Sequence, residues 1–235
     1  MMKTNRFVFL SLLALICVPH LLKAQAEVFI ADAVSGNPPM KSMRYTDVHG
    51  SPFFNDNWLD AVVKLADGKL YKGVKLKYDQ VLDEVFFLGQ NDAVMAFKSP
   101  VLEFKMATVS VDGLFNETYF VNGFAPIDGA TEKSYYQKLV YENNSRIQLI
   151  KRTIKKIYES RVYNSAVTDK TVEPIVYYYL SDGKAVLKRI KLDRKSIIAG
   201  IGNKQDELER FAETNKLNLK KEEDVIKLLI YYNSI

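Results

Sequence analysis

Two runs of cations are the densest chemistry in this sequence. Arg146, Lys151, Arg152, Lys155, Lys156 and Arg161 form the first, broken only by Glu159, and Lys184, Lys188, Arg189, Lys191, Arg194 and Lys195 form the second. If both runs share a sheet, their side chains line a surface that attracts anionic polymers or headgroups. The candidate anionic-ligand surface is Arg146, Lys151, Arg152, Lys155, Lys156, Lys188, Arg189 and Lys191. The competing reading is a solvated sheet face whose charges guard against edge pairing.

Carboxylates offer a second chemistry. Glycoside hydrolysis uses two of them flanking the bond, about 5–10 Å apart. Asp79, Asp83 and Glu84 cluster between two expected strands, and Asp56 and Asp60 bracket Trp58. All sit where turn chemistry already accounts for them, because Asp caps and closes turns. Asp56-Asn57-Trp58 lacks the alternating oxygen ligands and the glycine of a calcium loop. Gly-rich phosphate loops are absent. No catalytic, cofactor or metal site is assigned, and no cofactor is expected.

Histidine and cysteine narrow the field further, once the N-terminus is read. Lys3 and Arg6 precede an apolar run, Phe7 to Val18, and Ala24-Gln25-Ala26 supplies a small-x-small cleavage site. This is the layout of a secretory signal peptide over residues 1–26. Cleavage would remove Cys17, the only cysteine, and His20, leaving His49 as the only histidine. Lipidation of Cys17 fits poorly, since Ile16 and Ala14 stand where a small residue and a leucine are wanted. A Ser-His-Asp triad or Cys-His pair needs an imidazole placed by a third group. Zinc sites normally draw two or three ligands from Cys and His. Neither can be assembled from His49 alone, which precedes the turn-like Gly50-Ser51-Pro52. The expected address is therefore periplasmic or extracellular. No later segment approaches the ~20 apolar residues of a transmembrane helix. Nucleic acid is a poor candidate partner for an exported chain without a recognition motif.

Charge and aromatic content also look different after cleavage. The full chain carries 33 Lys+Arg against 28 Asp+Glu, with a sequence pI near 9.0. Losing Lys3, Arg6 and Lys23 leaves 30 against 28. Residues 27–130 hold 9 basic and 14 acidic groups, whereas residues 131–235 hold 21 and 14. Opposite signs suggest halves that dock on one another or an interaction surface. Tyr135, Tyr136 and Tyr141, with Tyr177, Tyr178 and Tyr179, could stack on sugars. Tyrosine also suits a half-buried pleated surface, and adjacent strand residues point to opposite faces. Trp58, the only tryptophan, reads as a core anchor at the start of a strand.

The elements that must position these groups are mostly strands. Residues 27–49 read as a poorly ordered lead-in, with one short strand at Glu27–Ala31. Ala61, Val63 and Leu65 then alternate with Asp60, Val62 and Lys64, and Asp67-Gly68 supplies the positive-φ pair of a tight hairpin. The return strand places Leu70, Val74, Leu76 and Tyr78 on one side. Val85–Leu88, Ala93–Phe97 and the alternating Leu102, Phe104 and Met106 continue the pattern, and Thr118–Val121 ends at a hairpin signal, Asn122-Gly123. Tyr135–Glu142 and Arg146–Tyr158 form a long hairpin around Asn143-Asn144-Ser145. Ile175–Leu180 and Ala185–Leu192 form another around Ser181-Asp182-Gly183-Lys184. The period then becomes helical. Asn203 is positioned to cap a helix carrying Leu208, Phe211 and Ala212. Val225, Leu228, Leu229 and Tyr232 mark a last helix with Glu222, Glu223 and Asp224 in its first turn.

Gly50-Ser51-Pro52-Phe53 followed by Asn57-Trp58, Asp67-Gly68-Lys69-Leu70-Tyr71, Leu76-Lys77-Tyr78-Asp79 and the closing Tyr231-Tyr232-Asn233 resemble a group of uncharacterised secreted proteins common in the Bacteroidota. The resemblance covers about residues 50–235. It implies export and a β-rich fold, and brings no catalytic residues. The expected architecture is an α+β, β-rich unit, an antiparallel meander forming a rolled sheet or partial barrel, with long hairpins and two or three short C-terminal helices. Residues 50–235 form one compact unit, an acidic meander over 50–128 and basic hairpins plus helices over 129–235. The expected function is a non-enzymatic binding or structural protein of the cell envelope or exterior. Its partner would be an envelope protein, a glycan or a lipid. A carboxylate-dependent, glycosidase-like hydrolase is the alternative.

Overall fold

Alternating side chains set the first strand. In β1 (Leu59–Leu65), Ala61, Val63 and Leu65 are buried while Asp60 is exposed. The computed structural model describes residues 45–109, 115–142, 145–161 and 168–235. The expected signal peptide, the Glu27–Ala31 strand, the lead-in up to residue 44 and the Asn143-Asn144 turn lie outside the described residues. β2 (Leu70–Asp79), β3 (Glu84–Leu88), β4 (Val94–Ala96), β5 (Val101–Val109) and β6 (Phe115–Val121) follow. After them come β7 (Tyr136–Val140), β8 (Gln148–Arg161), β9 (Thr168–Ser181) and β10 (Lys188–Ile190). All ten strands join one antiparallel sheet in the order β10-β9-β8-β7-β6-β5-β1-β2-β3-β4. Helices α1 (Arg194–Ile201), α2 (Gln205–Thr214) and α3 (Glu222–Ser234) close the chain. The β-rich meander with short C-terminal helices is the architecture expected from the sequence, and the sheet is not closed.

One connection breaks the simple meander. β5 pairs with β1 rather than with β4, so the chain passes three strands between Ala96 and Val101. A flat path across four strand spacings would need ~19 Å, about the limit of five extended Cα steps. The sheet must therefore roll. Its inside holds one core drawn from β1, β2, β3, β5 and β6, including Val63, Leu76, Tyr78, Phe87, Phe104 and Phe120. Burying each such side chain contributes ~1.5–3 kcal/mol.

Two bulges correct the expected facing of side chains in this roll. Ala61 pairs with Val74 and Val63 with Tyr71, so Lys72 and Gly73 oppose Val62 alone. Gly73 takes the extra residue at φ 69°, the left-handed region that glycine enters without penalty. The phase slips by one, leaving Leu70 exposed at 53% and Tyr71 buried. A second shift, between Lys64 and Leu65 against β5, buries Val101 in place of Leu102. The hairpin at Asp67-Gly68 also differs in detail. Only Gly68 has a positive φ, and its N–H donates to the Leu65 carbonyl while Leu65 N–H donates to Lys69.

The second half is a slab covered on both faces. Adjacent residues divide between two cores. Leu149 and Leu180 face the helices with Ile197, Leu208, Leu228 and Leu229. Ile150 and Tyr179 face the opposite way, onto Tyr136, Phe124 and Leu187. Phe124 belongs to a long connection between β6 and β7, so Asn122-Gly123 does not close a tight hairpin. Asp193 caps α1, its carboxylate accepting the Ser196 N–H at 2.7 Å. Close packing of α1 on the sheet requires Gly200, where an added Cβ would lie 2.8 Å from Leu180 Cδ1. Lys204, not Asn203, precedes α2, in a left-handed conformation with no side-chain cap. Beyond Lys151 and Tyr178, β8 and β9 run on as a two-stranded arm to Arg161 and Thr168, touched on its β9 edge by His49.

Candidate functional site

The roll and the slab meet at a cleft of about 600 Å³. One wall is β3 with Val85 and Phe86, extended by Phe97 and Pro100 of the link into β5. The other wall is the end of the β6–β7 connection, with Thr131, Lys133, Ser134 and Tyr135. Asp83 and Arg152 lie between them. Asp83 occupies the β2–β3 turn at φ 58°, a region where Asp is enriched among non-glycine residues. Arg152 comes from β8, on the face that carries Ile150.

Asp83 is the junction of this site. Its carboxylate accepts the Tyr78 hydroxyl at 2.7 Å and the Tyr135 N–H at 3.3 Å. Arg152 Nη2 stands 3.6 Å from the same carboxylate. Burial, reinforced by the Asp83 charge, pushes the hydroxyls of Tyr78 and Tyr135 well above the ordinary tyrosine range. Both therefore remain neutral donors. Arg152 is only 6% exposed, and its Nε and Nη1 are buried without a hydrogen-bond partner among the described residues. The Tyr136 ring lies 5.9 Å beneath the guanidinium. Leaving buried donors unpaired is costly, so Arg152 is the least satisfied group in this part of the protein.

The other cations of the predicted surface are dispersed. Lys151 pairs with Glu222 of α3 at 2.7 Å, on the helix side of the slab. Arg146 donates to the Ile235 carbonyl and stacks on Tyr232. Lys155 donates to the Phe53 carbonyl, and burial lowers its pKa. Lys188 reaches the Ala199 and Gly200 carbonyls near the C-terminus of α1. Arg189 pairs with Asp128 at 2.7 Å and lies over Tyr177, on the opposite side from Lys188. Lys156 and Lys191 are exposed. Of the eight, Arg152 alone lines the cleft.

The predicted carboxylates are largely engaged in holding turns. Asp79 is fully buried and accepts from the Tyr45 hydroxyl and the Val81 and Leu82 N–H groups. Asp56 accepts from Ser51, and Asp60 pairs with Lys75 at 2.9 Å. Glu84 is exposed at the rim of the cleft. His49 lies 3.2 Å from Asp169, both well exposed. Trp58 is half-buried under the Lys77 ammonium, 5.0 Å from its ring centre, rather than anchored in the core. Among the described residues, no three His, Cys, Asp or Glu side chains converge as metal ligands.

Compared with known proteins, the chain matches no family model, and no curated protein or solved structure is detectably similar to it. Among the described residues no helix is long and apolar enough to cross a membrane. Sequence reasoning named Asp83 as a carboxylate and Arg152 as a cation, but not their meeting. The signal for the cleft walls was weaker still. Ser99-Pro100 and Thr131–Ser134 lie between the expected strands, and only the roll brings them together.

Proposed function

We propose that this chain is an exported, non-enzymatic binding protein whose small-molecule ligand lies in the cleft between roll and slab. Export is supported by the signal-peptide pattern of Lys3, Arg6, Phe7–Val18 and Ala24-Gln25-Ala26, and by the resemblance to secreted Bacteroidota proteins. The observation that carries the binding reading is the cleft itself. Its volume of about 600 Å³ falls within the ~300–1,000 Å³ of small-molecule sites. One wall is apolar, with Val85, Phe86, Phe97 and Pro100, and the facing wall is polar, with Thr131, Lys133 and Ser134. The cleft thus offers both kinds of contact that ligand sites combine. Hydrolysis by paired carboxylates has less support, since Asp79 holds the Tyr45 hydroxyl and two backbone N–H groups. Asp83 Oδ1 holds the Tyr78 hydroxyl and the Tyr135 N–H, while its Oδ2 faces Arg152.

Native mass spectrometry of the mature protein from its own host's envelope tests this reading. A reproducible bound mass of small-molecule size is the expected result. Ser99→Trp, which fills the cleft from the β4–β5 link, should remove that mass while the melting temperature holds. A bare protein, or a bound mass indifferent to Ser99→Trp, would overturn it.

A further inference from the structure

We infer that Arg152 anchors an oxyanion, a carboxylate or a phosphate, carried by the ligand of the seam cleft; this rests on reading that cleft as a ligand site. The guanidinium has five N–H donors in a fixed fork. In this protein Nη2 faces Asp83 at 3.6 Å, longer than a hydrogen bond, while Nε and Nη1 meet no acceptor among the described residues. Asp83 cannot easily draw closer, because the Tyr78 hydroxyl and the Tyr135 N–H already fix its carboxylate.

The remaining surroundings do not supply the missing acceptor. The Tyr136 ring lies beneath the guanidinium and offers only its π face. A loosely paired arginine of this kind can turn its terminal donors toward the cleft. A ligand oxyanion would then receive charge-assisted hydrogen bonds, the strongest available to it. Lys133 at the exposed rim adds a second positive charge. Glu84 opposes it, but that side chain is also exposed, where solvent and salt screen its repulsion. Phe86, Phe97 and Pro100 make the same cleft apolar away from Arg152. The occupant is therefore an oxyanion on a compact apolar body.

Isothermal titration of the full mature protein with three probes of similar shape tests this: phenylacetate, phenyl phosphate and neutral phenylacetamide. One or both charged probes should bind, and the amide should bind about tenfold more weakly or not at all. The preferred charged probe identifies the ligand's headgroup as carboxylate or phosphate. Arg152→Lys keeps the charge but loses the fork, and should weaken the charged probe by about tenfold. Should that variant misfold, the paired change Arg152→Gln with Asp83→Asn removes both buried charges and should have the same effect. Lys133→Gln should weaken binding less, and less still in high salt. Equal binding of amide and carboxylate would overturn the oxyanion anchor. So would unweakened binding in the Arg152 variants, or failure of both charged probes. In each case a bound mass sensitive to Ser99→Trp would leave the cleft reading standing.

Discussion

The roll and the slab solve the problem of burying a sheet in different ways. The roll turns one face inward on itself, and its core is aromatic. Tyr78 meets Phe104, Phe120 and Tyr135 edge-on at 5.2–5.7 Å between ring centres. Such pairs add ~0.5–1.5 kcal/mol beyond their buried area. The slab cannot roll, so each face needs a cover. Three helices bring aliphatic Ile197, Leu208, Val225 and Leu228 to one side, and the β6–β7 connection brings Phe124 and Ala130 to the other. The acidic roll then meets the basic slab through specific groups rather than a general field. Arg152 reaches Asp83, and Lys155 reaches the Phe53 carbonyl. A self-enclosed sheet keeps its cations on the outer, wet face, as Lys75 and Lys105 are. A doubly covered one that buries a cation has to give it a partner, as Lys151 has in Glu222.

The largest expected effect tests whether the two regions unfold as one. Burial and neighbouring carboxylates raise the hydroxyl pKa of Tyr78 and Tyr135 in the roll, and of Tyr178 and Tyr179 in the slab. A raised folded-state value means that folding favours the protonated hydroxyl. That stability is fully present below the unfolded value of 10.0 and is lost as pH rises above it. The protein should therefore unfold on alkaline titration beyond pH ~10. Tyrosinate absorbance and far-UV circular dichroism should change together in a single step. Two separate steps would show that roll and slab unfold independently.

Truncating one core at a time sharpens the same comparison. Phe104 is 1% exposed, and Phe104→Ala should destabilise the protein by ~3–5 kcal/mol. Leu228, on α3, is fully buried against the slab, and Leu228→Ala should cost ~2–5 kcal/mol. Urea melts followed by tyrosine fluorescence and by circular dichroism should shift together for both variants. A Leu228→Ala loss below ~0.5 kcal/mol would mean that the helices do not cover the slab.

The legibility of the two regions differed for the same physical reason. Roll strands have one wet face, so Ala61, Val63 and Leu65 announce themselves by alternation. The last helix was equally plain, because Val225, Leu228, Leu229 and Tyr232 share one face and are all buried. What failed was phase. The one local mark of the bulge is Gly73, a glycine inside a strand, and that one extra residue exchanges Leu70 for Tyr71 in the core. Helix α1 was hidden by its length, since Arg194–Ile201 offers barely two turns of periodicity. The site was legible only as separate letters. Asp83 and Arg152 lie in different halves, and their contact depends on a roll and a strand order that no spacing in the sequence encodes.

The smallest effects concern the charges at the margins of the two regions. Asp193→Ala removes the α1 cap and should cost ~0.5–2 kcal/mol, because the Ser196 N–H loses its acceptor. On the roll, Lys75 and Asp60 stand 2.9 Å apart but are at least half exposed. Holding two mobile side chains in one geometry offsets most of their attraction, so such pairs contribute ~0–1 kcal/mol. Lys75→Ala should then change the urea midpoint by no more than ~0.5 kcal/mol equivalent. Lys151, paired with Glu222 and about three-quarters buried, should cost more when replaced by alanine, because the partner carboxylate in the first turn of α3 is equally buried and loses its countercharge. Equal effects at Lys75 and Lys151 would mean that the slab's paired cations are no more structural than those on the roll's wet face.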